Sequence, residues 1–178
     1  MEILTRPVAI TDVETTGEDA EIHEIIEIGL VVVNQRTLEI IDTFETKVKP
    51  EHIETAEEAA LKKNGYNAAD WQNAISLKEA MTIYAPKTKD ALFGAHNVFF
   101  DWSFIFAAIK KTGVKNVMDY HHIDLFTMAW LKLQNSGIEK LNMNEIAKFL
   151  GIGEEPWPHR AINGAMKEYE IYKRLIKI

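Results

Sequence analysis

The chain contains no cysteine. That excludes disulfides, thiolate metal sites and cysteine nucleophiles together, and any metal must then sit on oxygen or imidazole. No apolar run approaches the roughly 20 residues that span a bilayer. The first residues, Met1 to Pro7, lack the basic start and apolar core of a signal peptide, so the sequence predicts a cytoplasmic protein with no membrane contact. Positive charge is also scarce: 20 Lys and Arg stand against 27 Asp and Glu, for a net charge of −7. Coating a long duplex depends on Lys and Arg displacing counterions from phosphates, so that mode of binding is disfavoured. Gripping a chain end through bound cations remains open, because a divalent ion locally reverses the sign of an acidic pocket. Internal repeats and low-complexity linkers are missing too.

What is present suits one globular domain over residues 1–178. Hydrophobic residues make up 47% and charged residues 26% of the chain, inside the ordinary range for a packed protein. Residues 7–12 read as a short buried strand, 25–33 as a second apolar strand and 38–48 as a third with alternating character. The short polar stretch 34–37 predicts an antiparallel hairpin between the last two. The period then changes to that of helices, at 54–63 before Asn64 and Gly65, and at 76–85 with Ser76 and Glu79 as a capping box and Pro86 beyond the end. A strand at 92–96, a helix at 99–111 stopped by Gly113, and a strand at 117–123 follow. Helices at 124–134, 142–150 and 160–177 complete the chain. This order predicts an α/β fold with a mixed five-stranded sheet flanked by helices. In the last helix Ala161, Ile162, Ala165, Met166, Tyr169, Tyr172, Leu175 and Ile176 form the stripe expected to pack on the sheet.

Three polar constellations interrupt this scaffold. Asp12 and Glu14 lie two apart in an extended segment, which sends both carboxylates to one face, where they repel unless a cation joins them. A solvated strand end is the alternative. Thr15-Thr16-Gly17 follows, a polar turn whose glycine lets backbone approach a phosphate or sugar. His96-Asn97-Val98-Phe99-Phe100-Asp101 occupies a strand-to-helix junction, where Asp101 alone could serve only to counter a helix dipole. Pro156-Trp157-Pro158-His159-Arg160-Ala161 brings a histidine to the first turn of the final helix, incidental when considered alone.

In order and spacing these three segments resemble the exonuclease motifs of the DEDD family, histidine branch (DEDDh, DnaQ-like 3′-5′ exonucleases of the RNase H-like superfamily). Ile25-Ile26-Glu27-Ile28-Gly29 and Ile123-Asp124 are similar to further segments of that family, and the likeness runs from about Pro7 to Lys177. The resemblance implies an RNase H-like fold with two divalent ions, Mg²⁺ or Mn²⁺, at the end of the first strand. Asp12, Glu14 and Asp101 would be the metal ligands and His159 the general base. Thr15, Thr16, Asn97 and Phe100 are candidates for contacting the terminal nucleotide, with core packing the alternative for Phe100 and the expected role of Phe99. His121 and His122, neighbours on a predicted strand, face opposite ways and suit no shared metal. Lys62-Lys63, Lys87 with Lys89, and Lys110-Lys111 fit solvated helix ends better than phosphate contacts.

One position departs from the pattern. The family places its fourth carboxylate five residues after the histidine, at 164, and this chain has Gly164 there. Within a helix glycine costs about 1 kcal/mol relative to alanine, so the departure needs a reason: close packing, a silencing substitution or a weakened lineage. Losing one ligand predicts weak metal occupancy and impaired activity. Glu168, one turn further along the same face, is the candidate to stand in. The expected function is exonucleolytic hydrolysis at single-stranded DNA or RNA 3′ ends. The alternatives are an end-binding module that no longer cuts and a structural subunit. The choice of DNA or RNA is open, as is oligomeric state, a homodimer included.

Overall fold

The structure is a computed structural model and describes residues 2–154 and 156–178. Among the described residues five strands, β1 (Val8–Thr15), β2 (Ile25–Val33), β3 (Ile40–Lys47), β4 (Leu92–Ala95) and β5 (His122–Asp124), form one mixed sheet in the order β3-β2-β1-β4-β5. The pairs β1–β2 and β2–β3 are antiparallel, whereas β1–β4 and β4–β5 are parallel. Among the described residues six α-helices surround it: α1 (Glu58–Asn64), α2 (Leu77–Lys87), α3 (Val98–Thr112), α4 (Leu125–Leu133), α5 (Met143–Phe149) and α6 (Ala161–Lys177).

Both faces of the sheet are covered, which is why every residue of β2 is buried. Along β1 the faces alternate. Ala9 and Val13 pack with Met81, Tyr84, Phe104 and Ile105 of α2 and α3, while Val8 and Ile10 pack with Leu125 of α4 and Ala165, Tyr169 and Tyr172 of α6. Continuing that alternation puts Asp12 and Glu14 on the α6 side.

Several predicted boundaries move for identifiable reasons. Residues 54–57 do not join α1, because Glu57 is extended and its N–H is donated to the Thr16 carbonyl at 2.7 Å, a tertiary bond that outweighs local helix propensity. Ser76 caps α2 as expected, accepting the Glu79 N–H, but Pro86 lies inside the last turn instead of beyond it. The fifth strand shrinks to three residues. Upstream of it the Asp119 carboxylate accepts the His121 N–H and pairs with Arg6, which holds that segment as a turn. In α6 the buried face is rotated from the predicted stripe: Met166 and Ile176 are exposed, and Glu168 and Ile171 are buried. Phe99 is 83% exposed, contrary to the core role expected for it, because it starts α3 on the side away from the sheet. Of the lysines read as solvated helix ends, Lys87 pairs with Asp42 and Lys111 with Glu51 and Glu24.

Candidate active site

A cleft of about 390 Å³ opens where β1 ends, walled by α1 and by the first turns of α3, α5 and α6. Asp12, Glu14, Asp101 and His159 all line it, as do Thr15, Asn97 and Phe100. Thr16 does not belong to the lining. It is fully buried, and its hydroxyl accepts the Glu24 N–H. Gly17 lines the cleft, yet the space its missing side chain leaves is filled by the His23 ring, so close packing explains this glycine better than approach to a ligand.

The position of Asp101 follows from the shortness of β4. That strand pairs with β1 at Val8, Ala9 and Ile10, so the later N–H groups on that edge need other acceptors. Asp101, in the first turn of α3, supplies one: its Oδ1 accepts the Val13 N–H at 3.1 Å. This ties the carboxylate to β1 between Asp12 and Glu14.

Two residues of β2 set the position of α6. A Cβ on Gly29 would coincide with the backbone of Ala161 and Ile162, so only glycine lets the helix start lie directly on the sheet opposite Asp12, its ladder partner. Glu27, buried on the same strand, accepts the Ala161 N–H at 3.2 Å and pairs with Arg160 at 3.0 Å. Burial raises the Glu27 pKa, and the Ala161 N–H and the Arg160 charge pull it back without cancelling the rise. The last turn of α1 adds a second clamp. His159 donates its N–H to the Lys63 carbonyl, Arg160 bonds the Asn64 carbonyl, and the Asn64 side chain donates to Thr15. His159 is thereby held at the cleft wall with its ring edge-on to Trp157. The sequence pattern gives Asn64 only a helix stop and Glu27 only a place in a strand, and neither a role at the site, although a lone charge in the apolar run of β2 was a legible signal for the latter.

Gly164 faces the cleft from α6. A Cβ there would lie 2.6 Å from Asp12 Oδ2 and 2.7 Å from its Cγ, so the Asp12 carboxylate rests where a side chain at 164 would begin. An aspartate at 164 would require Asp12 to rotate away. Glu168, one turn on, also lines the cleft and is 1% exposed. Its Oε1 accepts the His96 N–H at 2.7 Å.

Among the described residues, no three His, Asp or Glu side chains are grouped tightly enough to hold a metal ion as they stand. The carboxylates share the cleft without closing on one point, since Asp12 leans on α6 and Asp101 is drawn to the β1 backbone. Their chemistry nevertheless suits a hard divalent cation: Asp12, Glu14 and Asp101 offer only oxygen. Burial pushes the Asp101 carboxyl up to about 7, the Val13 N–H opposes this, and the charge of Glu14 adds to the rise. A cation would offset that accumulation of buried negative charge.

A prediction follows from Asp101. Its folded pKa lies above the unfolded value of 3.8, so the native chain keeps a proton that the unfolded chain has lost. The stability this group contributes therefore falls as pH rises from about 4 to about 7. A cation binding the carboxylate must displace the same proton. Calorimetric titration with Mn²⁺ at about pH 6.5 is expected to show proton release that scales with buffer ionisation enthalpy, and affinity that strengthens toward about pH 8. Heats independent of buffer would remove Asp101 from the cation site.

The exonuclease family model, RNase T, matches residues 9–172. The chain belongs to this exonuclease family. The RNase T family match agrees with the DEDDh class and RNase H-like fold expected from the motifs. Over 171 residues the chain is 28% identical to the PolC-type DNA polymerase III of Thermotoga maritima, covering 95% of this chain and 12% of that protein. It is 33% identical over 131 residues to the 3′-5′ exonuclease DinG of Staphylococcus aureus, covering 68% of this chain and 13% of that protein. The chain thus spans about one eighth of the length of these curated relatives. Among solved structures, the nuclease domain of 3′hExo, a DEDDh family member bound to rAMP, superposes with a TM-score of 0.77 at 21% identity, covering 97% of this chain and 92% of that one. A structure of exonuclease I gives 0.80 at 14% identity, covering 97% and 41%. At these identities the solved structures establish the fold. Among the described residues no helix is long and apolar enough to cross a membrane.

Proposed function

We propose that this chain is a metal-dependent 3′-to-5′ exonuclease that releases nucleoside monophosphates one at a time from single-stranded nucleic-acid ends in the cytoplasm. The observation that carries this reading is the shared cleft: in a member of an exonuclease family, Asp12, Glu14, Asp101 and His159 reach it from three separate parts of the sequence. Asp12, Glu14 and Asp101 would hold two Mg²⁺ or Mn²⁺ ions. Such ions, when bound, supply the charge that acidifies water and stabilises the leaving oxygen. His159 takes the proton from the attacking water, a task an imidazole nitrogen can perform as general base.

The remaining residues position the chain end. Asn97 and Thr15 offer polar contacts at the cleft, and Phe100, half-buried against Phe104, offers an aromatic ring for a terminal base to stack on. Lys63 lines the same cleft, exposed, and supplies a positive charge for the incoming phosphates in an otherwise acidic surface. A nucleoside monophosphate product is consistent with rAMP in the 3′hExo nuclease domain.

Gly164 favours a second reading, an end-binding module that keeps the cleft without cutting. Digestion of 5′-labelled single-stranded DNA and RNA separates the two. A ladder shortened from the 3′ end in Mg²⁺ or Mn²⁺, and none in Ca²⁺, is expected of the exonuclease. Binding without product in all three ions would support the module, and neither binding nor product would remove both.

A further inference from the structure

We propose that Glu168 is the fourth carboxylate of the cation site, standing in from one helical turn further along α6 for the side chain that position 164 lacks. This rests on the exonuclease reading above. Positions 164 and 168 are four apart and share a helix face, and both line the cleft with Asp12, Glu14 and Asp101. Side chains on a helix lean toward its N-terminus. A glutamate at 168 therefore reaches back over 164, and its extra methylene supplies length that an aspartate in the same place would lack.

The Glu168 carboxylate is buried and fixed. Its Oε1 is held by the His96 N–H, at the junction of β4 and α3 beside the end of β1. A neutral glutamine could accept that bond equally well, so holding His96 does not require the charge. A cation bound by Asp12 would share the cleft with this carboxylate.

The two departures belong together. With no Cβ at 164, Asp12 comes to rest against α6, within 3.0 Å of where that Cβ would stand. This is the part of the helix over which Glu168 extends. Gly164 and Glu168 thus describe a site displaced along α6 by one turn, with four carboxylates retained: Asp12, Glu14, Asp101 and Glu168. On this basis the chain cuts as it stands, and the impairment expected from Gly164 does not follow.

The test is Mn²⁺ binding to the whole chain, read by electron paramagnetic resonance of the free ion, for the wild type, Glu168→Gln and Asp12→Asn. The glutamine keeps the His96 bond and the side-chain shape and removes one anion from the cleft, so the metal-free melting temperature should hold or rise. Affinity should fall at least tenfold, the lower end of the roughly 10- to 100-fold cost of losing even an outer partner of a metal site. Binding of Mn²⁺ by Glu168→Gln at the wild-type level, with binding lost in Asp12→Asn, would overturn the assignment and leave the exonuclease reading standing. Absence of binding by the wild type would defeat that reading, and this one with it. If Glu168→Gln does not fold, Glu168→Asp keeps the charge but retracts it. Weaker binding by that variant supports the proposal, and unchanged binding overturns it.

Discussion

Asp12→Asn is expected to cut the rate of nucleotide release by roughly 1,000-fold while leaving the protein folded. Asp12 is the carboxylate that rests against α6 at Gly164 and, in this reading, the one shared by both ions. Divalent cations contribute several kcal/mol of charge stabilisation to such a transition state, and each 1.4 kcal/mol is about tenfold in rate, which sets the size of the loss. Asparagine has the same shape, so the contact with α6 at Gly164 survives. Removing one of several neighbouring anions also relieves repulsion in the metal-free protein. The melting temperature without metal should therefore hold or rise as activity disappears, the trade of stability for function found at strained sites. Single-turnover digestion and thermal melting on the same preparation test both halves. A residual rate within tenfold of wild type would show that Asp12 does not carry the site.

The second large effect should come from a residue with no chemistry at all. Gly29→Ala is expected to destabilise the fold by about 3 kcal/mol or more, the upper range for overpacking a rigid contact. The added methyl would meet backbone of Ala161 and Ile162, not the tip of a movable side chain. To make room, the start of α6 must lift from β2, which strains the bonds from Ala161 and Arg160 to Glu27. For a chain of this length that corresponds to a fall in melting temperature of roughly 6 to 12 °C. His159 and Gly164 ride on the same segment, so activity should fall further than the folded fraction does. Gly153→Ala is the control. Among the described residues nothing stands within 4 Å of a methyl there, and a melting temperature near wild type is expected. Equal effects at both positions would show that the close approach at Gly29 is not what the contact geometry implies.

Much of the fold was legible in the chain because its signals are local. The apolar run of β2, the Ser76 cap of α2 and the Gly113 stop of α3, at φ 69, depend on neighbours a few residues away. Boundaries failed where a distant group intervened. Thr16 took the Glu57 N–H and shortened α1, and Arg6 with Asp119 shortened β5. The rotation of α6 has the same origin. A hydrophobic stripe counts apolar residues only, and Glu168 is buried because a cleft, not the sheet, receives it.

By itself the sequence determined the kind of chemistry and its ingredients: oxygen ligands and imidazole, no thiol, two carboxylates on one face of β1, and a missing carboxylate at 164. Those are properties of residue type and near spacing. Tertiary structure alone decided which groups meet. Three distant segments share a cleft, Thr16 is excluded from it, Gly29 and Glu27 seat the helix that carries His159, and Glu168 joins the lining of the cleft while Asp12 fills the space beside Gly164. The reason is that side-chain direction at a crossing of helix and sheet is set by backbone approach and burial between residues 133 and 134 positions apart, and no local pattern encodes that.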